Sequence, residues 1–284
     1  MSCLWFKSKD KNYSSMDDHE INKTIDEFLY NVRPLDLLVF KSGDNVSKLI
    51  RYLQKIKTGS GSISHTELAI SKRYCPEIRT LEKNPNLDKL YSWGSTMSGP
   101  LNDGVYNAET GESAFGVQIR SLKELARSYL ENKGANIGVC KLLINPIDFN
   151  YGYPLYENIT YENSEESAQN EFDNRIKKLK SDLSKTYLKY YNVNYDANLL
   201  SLFASIFPKL RIFRNKTEIM IGKFTNINKW IFCSQLVCLI YKEIGIIDYY
   251  VDDRNVLPVD FLGFEADKDG ISDPICNTNP QWIK

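Results

Sequence analysis

Along this chain apolar and polar positions group into runs whose periods name the elements. Residues 34–41, with Leu35, Leu37, Leu38, Val39 and Phe40 nearly unbroken between Pro34 and Ser42-Gly43, predict a strand buried on both faces. Asp44 then stands as an N-cap. Behind it Val46, Leu49, Ile50, Leu53 and Ile56 recur at helical spacing, with Lys48, Arg51, Lys55 and Lys57 on the other faces. After the flexible Gly59-Ser60-Gly61-Ser62, a second strand begins at Ile63-Ser64-His65-Thr66-Glu67-Leu68. Further strands are predicted over 90–95, 116–120 and 136–144, a helix over 121–131, and a long helix over 164–190 capped by Ser164. Finally Trp230-Ile231-Phe232-Cys233-Ser234 turns into a helix. Leu236, Val237, Ile240, Tyr241 and Ile244 form its apolar face and Gly245 its left-handed stop. These elements predict an α+β fold built on a small, twisted, antiparallel sheet packed against the 233–244 helix.

No Gly-, Ser- or Pro-rich linker divides the 284 residues, so one sizeable domain is expected over 32–264, with insertions near 71–89 and 150–225. Residues 1–31 read as a polar leader containing a short helix over 17–29, and 265–284 as a C-terminal tail. Within the tail, 267–270 resembles a calcium loop only superficially and is read as a turn. Lysine plus arginine equal aspartate plus glutamate at 36 each, which gives no global field toward nucleic acid and argues against such a partner. Six scattered cysteines with no C-x-x-C spacing indicate neither zinc nor a disulfide framework; reduced thiols in a cytoplasmic setting fit best. The start of the chain reads as neither signal peptide nor membrane span. The apolar stretch 199–207, stopped by Pro208, is too short to cross a bilayer. It is read as core or lid, or, with Lys209, Arg211, Arg214 and Lys216 interleaved beyond it, as a peripheral membrane or acyl-chain contact. The basic face of the 45–57 helix is likewise either solvated or turned to anionic lipid.

Two residues carry candidate chemistry. Cys233 sits in the first turn of its helix, where unpaired backbone N–H groups and the positive end of the dipole favour a thiolate, although a buried cysteine also simply fills space. His65 opens a strand, and the only other histidine, His19, lies in the polar leader. An imidazole base therefore has to be His65, unless it is a structural, neutral histidine. Alternation sets Glu67 on the same side of the strand as His65, where its carboxylate is placed either to lie near the ring or to anchor a neighbour. Together these are the parts of a Cys–His engine: imidazole takes the thiol proton, thiolate attacks an ester or amide carbonyl, and first-turn N–H groups stabilise the oxyanion. Cys238, on another face of the same helix, is expected to be structural.

Several short motifs occur in an order that resembles the circularly permuted, papain-like amidases related to the NlpC cell-wall peptidases, a family with bacterial members and virion proteins of large DNA viruses. Pro34-Leu35-Asp36-Leu37-Leu38-Val39-Phe40 is similar to its opening strand and Ile63-Ser64-His65-Thr66-Glu67-Leu68 to its histidine motif. Gly116-Val117-Gln118-Ile119-Arg120-Ser121-Leu122 resembles a later strand, Asn194-Tyr195-Asp196 a Tyr-Asp element, and Phe232-Cys233-Ser234-Gln235-Leu236-Val237 the nucleophile helix. The resemblance implies a permuted papain-like fold, Cys233 as nucleophile, His65 as base, and a hydrolase acting on a peptide, amino-sugar amide or lipid acyl substrate without metal or organic cofactor. Tyr195, Ser95 and Ser234 would line the substrate site. The alternatives are an inactive virion or host-interaction module of the same fold, and a membrane-surface acyltransferase or thioesterase. In the family a third polar residue, often glutamate, follows on the next strand to orient the imidazole. Here Gly94 stands at or beside that position. Glu67 is the expected substitute, with Ser95 and Gln118 behind it.

Overall fold

The computed structural model describes residues 17–58, 61–83, 86–96, 104–131, 135–143, 145–147, 165–195, 230–262 and 281–283. The Ser164 cap, the 199–207 stretch with the basic residues beyond it, and the 267–270 turn lie outside these. The chain runs α1 (Asp18–Tyr30), β1 (Leu37–Lys41), α2 (Asn45–Thr58), β2 (His65–Ser71), β3 (Leu90–Thr96), β4 (Gly116–Ser121), α3 (Leu122–Glu131) and β5 (Asn136–Cys140). After these come α4 (Glu165–Tyr190), β6 (Asn194–Tyr195), β7 (Trp230–Ile231), α5 (Cys233–Glu243), two 3-10 turns (Asp253–Asn255 and Pro258–Leu262) and β8 (Gln281–Trp282). The strands make an antiparallel sheet in the order β4-β3-β2-β1-β5, with the two-residue β8 added outside β5. β6 and β7 form a separate parallel pair.

Leu37, Leu38, Val39 and Phe40 are all fully buried, which is why β1 reads as an unbroken apolar run. The period of two along each strand splits the core between the faces. On one face Leu38, Phe40, Ala69, Ile137 and Val139 pack with Ile21, Ile25 and Phe28 of α1 and with Leu122, Leu125 and Ala126 of α3. On the other Leu37, Val39, Leu68, Ile70, Trp93 and Ile119 pack with Leu179, Leu183 and Tyr187 of α4 and with Leu236, Val237, Ile240 and Tyr241 of α5.

The caps follow the sequence. Asp17 accepts from the Glu20 N–H at 2.8 Å and Asp44 from the Ser47 N–H at 2.8 Å, each satisfying a first-turn donor. Gly245, at φ 74°, ends α5, with its N–H on the Lys242 carbonyl and that of Ile246 on Tyr241. The Tyr241 hydroxyl donates to the Leu35 carbonyl at 2.8 Å, tying α5 to the entry of β1.

Three expectations change in detail. The segment read as a polar leader is packed into the domain from Asp17 onward, because Ile21, Ile25 and Phe28, the three buried residues of α1, lie on one stripe against the sheet and α3. The strand expected to reach residue 144 leaves the ladder after Cys140. Beyond it the Leu142 N–H donates to the buried Asp36 carboxylate at 3.0 Å, and the Lys141 ammonium reaches the same group at 3.1 Å. Within the expected tail, Gln281–Trp282 pairs with β5. Among the described residues no helix is long and apolar enough to cross a membrane.

The docking of α1 predicts that Ile25→Ala, at a fully buried position, lowers unfolding free energy by about 2–5 kcal/mol, the usual cost of such a truncation. Denaturant unfolding measures it. A change near zero would mean that α1 is a leader detached from the core.

Candidate active site

Cys233 is the first residue of α5, and the residue before it, Phe232, is the N-cap in an extended conformation. A phenylalanine has no side-chain oxygen to cap the helix, so nothing at that position competes for the first-turn N–H groups. Gln235 instead accepts from the Phe232 N–H at 3.4 Å and donates to Asp253 at 2.8 Å. The backbone of Ser234 and of Thr66 lies on the thiolate-favouring side of the balance at the Cys233 sulfur.

His65 is the first residue of β2, with its side chain 18% exposed and in hydrogen-bonding contact with the Cys233 thiol. Its Nε2 lies 2.7 Å from Oε1 of Glu67, whose side chain is fully buried. The same oxygen accepts from the Arg120 guanidinium at 2.6 Å, and Oε2 accepts from the Ser92 hydroxyl. Arg120 itself is 1% exposed. The register explains the convergence. β2 and β3 pair Leu68 with Trp93 and Ala69 with Ser92, so Glu67 stands across from Gly94; β3 and β4 pair Ser92 with Arg120 and Gly94 with Gln118. Glu67, Ser92, Gly94 and Arg120 therefore share the sheet face covered by α1 and α3. Cys233 arrives on the helix that covers the opposite face. The two halves meet at the N-terminal end of β2.

The electrostatics follow from these contacts. Burial pushes the Glu67 carboxyl up, but the Arg120 charge, the His65 hydrogen bond and charge, and the Ser92 hydroxyl outweigh it and hold the group at about 2. An ionised carboxylate only accepts, so Nε2 of His65 carries a hydrogen toward Glu67 and Nδ1 is left for the thiol. Burial opposes the charged form of His65 as well. The Cys233 charge and the hydrogen bonds to Cys233 and Glu67 overcome this and raise it well above its ordinary 6.5. For Cys233, burial raises the pKa, while the His65 charge and hydrogen bond and the backbone of Thr66 and Ser234 bring it below that of a free thiol. Each member of the pair thus favours the other's charged form, and the arrangement can present a thiolate next to an imidazolium.

Gly94 has a steric role. A Cβ at this position would stand 2.3 Å from Cδ, 2.4 Å from Cγ and 2.5 Å from Oε1 of Glu67. Because three donors hold the carboxylate, it has no free direction in which to yield. Any larger residue at 94 would collide with the group that touches His65.

Comparison of the chain with protein-family models, with curated proteins and with solved structures returns no match. The site is therefore described by its own geometry.

Of the residues singled out from sequence, Cys233, His65 and Glu67 come together. Ser95, fully buried, donates to the Ile231 carbonyl at 2.7 Å and so fastens β3 to the segment leading into Cys233. The Ser234 hydroxyl donates to the Val256 carbonyl at 2.7 Å. Gln118 lies across from Gly94, its amide on the Ala114 carbonyl at 3.2 Å. The Tyr195 backbone pairs with Ile231, in the segment leading into Cys233, and its side chain is outside the described residues. Cys238 is fully buried, and burial pushes its thiol up to about 12, in contrast to Cys233. Arg120 and Ser92 are not singled out by the sequence reading. The available signal was an arginine inside a strand expected to be buried, since a guanidinium there needs an acidic partner. Among the described residues no cluster of His, Cys, Asp or Glu could hold a metal ion.

Gly94→Ala is predicted to displace Glu67 and slow alkylation of Cys233 at pH 6 by about 10- to 100-fold, the scale of a misplaced catalytic group. The rate is read by mass spectrometry of the labelled cysteine. An unchanged rate would mean that Glu67 does not set the reactivity of the pair.

Proposed function

We propose that this protein is a cysteine hydrolase that cleaves an amide, peptide or amino-sugar linked, on a permuted papain-like scaffold of the NlpC type. The observation that carries the reading is the buried chain from Arg120 through Glu67 and His65 to a cysteine at a helix N-terminus. In the reaction the Cys233 thiolate attacks the amide carbonyl, and the first-turn N–H groups of α5 receive the oxyanion. The His65 imidazolium gives its Nδ1 proton to the leaving amine as the C–N bond breaks, leaving a thioester on Cys233. Neutral His65 then takes a proton from water, whose oxygen attacks the thioester, and the acid departs as Cys233 is released. Glu67, held by Arg120 and Ser92, keeps the ring oriented and stabilises its charged form.

The rival reading as a binding module rests on Gly94 and on the lack of a second histidine near the site. The collision that a side chain at 94 would make with Glu67 accounts for that glycine within a working site. The acyltransferase reading rested on the 199–224 stretch, outside the described residues, and no observation here favours it over hydrolysis.

An activated acyl or amide probe is predicted to label Cys233 selectively, with labelling lowered about 100-fold or more in His65→Ala, the lower end of the range for general acid–base catalysis and above. Equal labelling of both proteins would contradict the dyad. The pH dependence has a worked sign. Because the Cys233 pKa is lowered, the acid limb of amide cleavage falls below the ordinary thiol range near 8.5. Because the His65 pKa is raised, protonation of the leaving amine persists well above 6.5 and fails only as pH climbs through the raised value. Glu67→Gln is expected to move the alkaline limb down toward that of a free imidazole; an unmoved limb would remove Glu67 from the relay.

A further inference from the structure

Helix α2 carries a surface that the catalytic reading does not use. Between Asn45 and Thr58 it holds four basic residues, Lys48, Arg51, Lys55 and Lys57, and no acidic one, in a chain whose charges balance overall. Its inner side is conventional. Leu53 is buried in the core, Gln54 is fully buried and Leu49 packs partly against the same cluster. Its outer side is not. Tyr52 and Ile56, one turn apart, are 63% and 53% exposed, and Lys48 and Lys55 flank them on the same exposed face. Neither lysine has an acidic partner among the described residues.

We propose that this face docks the protein on an anionic phospholipid membrane. An aromatic and a β-branched side chain held in water between cations suit an interface where apolar groups enter the acyl boundary while ammonium groups meet headgroup phosphates. A nucleic acid or an acidic peptide would use the lysines but would gain little from Ile56, and this favours the membrane. The location gives the docking a consequence. α2 is inserted between Lys41, exposed at the end of β1, and His65, the first residue of β2, and Phe40 pairs with His65 across the sheet. Lipid on α2 therefore lies beside the end of the sheet that holds the Cys–His pair, and the site works on substrates carried at that surface. The docking itself does not depend on the hydrolase reading.

The test is flotation of the full chain with vesicles of phosphatidylcholine alone or with roughly 30% phosphatidylserine, where each basic residue at the surface contributes about fivefold to partitioning. Wild type is expected to float with the anionic vesicles only and to be released by salt. Lys48→Gln/Lys55→Gln is expected to lose about 25-fold in partitioning by the same rule, and Tyr52→Ser/Ile56→Ser to lose binding as well. Absence of flotation, or flotation of either variant equal to wild type, would overturn the proposal. Loss confined to the lysine variant would identify a general polyanion site instead. Labelling of Cys233 in solution should be the same in wild type and both variants, so failure of the docking and failure of the hydrolase reading are read separately.

Discussion

The candidate site of this molecule depends on one buried charge. Glu67 has no exposure to water, and an isolated carboxylate in such a place would take up a proton rather than remain ionised. It stays ionised because Arg120, Ser92 and His65 all donate to it. Removing any one donor leaves part of the desolvation cost without compensation. The glycine at 94 belongs to the same constraint, since the carboxylate occupies the volume that a side chain there would fill. So does the cover of α1 and α3, whose apolar faces exclude water from the sheet face on which the carboxylate lies.

Cys233, the proposed nucleophile, comes from the opposite layer, so its placement depends on how α5 is fixed. Ser95 holds the Ile231 carbonyl just before the cysteine, Ser234 the Val256 carbonyl just after it, and Tyr241 binds the far end of the helix to Leu35. These hydroxyls leave Cys233 little freedom to move relative to β2. The N-cap Phe232 has no side-chain oxygen to occupy the first-turn N–H groups, and the Ser234 and Thr66 backbone favours the thiolate form of Cys233. A helix end that lacks a polar cap is ordinarily a small defect; here it leaves first-turn N–H groups beside the proposed nucleophile.

How much of this was legible in the sequence varies from residue to residue. Strands and helices were legible where the pattern was strong, as in β1, buried on both faces, and in α5, with its apolar stripe and Gly245 stop. Cys233 and His65 stood out because one opens a helix and the other is the only histidine outside the polar leader. Glu67 was within reach because period-two alternation is local. Arg120 and Ser92 were not, because their approach to Glu67 depends on the register of three strands, which no single segment specifies. The same limit made Gly94 look like a missing carboxylate, when its neighbour across the ladder fills the space. α1 read as a leader because three apolar residues in a polar helix carry a weak signal, and β8 was missed because two residues have no period to detect.

The account's central claim is that Cys233 and His65 form an ion pair held by Glu67. Nitrogen NMR of the imidazole rings across pH measures this directly, since the protonated ring and the neutral tautomers have distinct shifts. The account predicts that His65 is doubly protonated at pH 8 and that in Cys233→Ala its pKa drops, because the charge that raises it is gone. A neutral His65 ring at pH 8 in the intact protein, or a titration indifferent to the loss of Cys233, would contradict it.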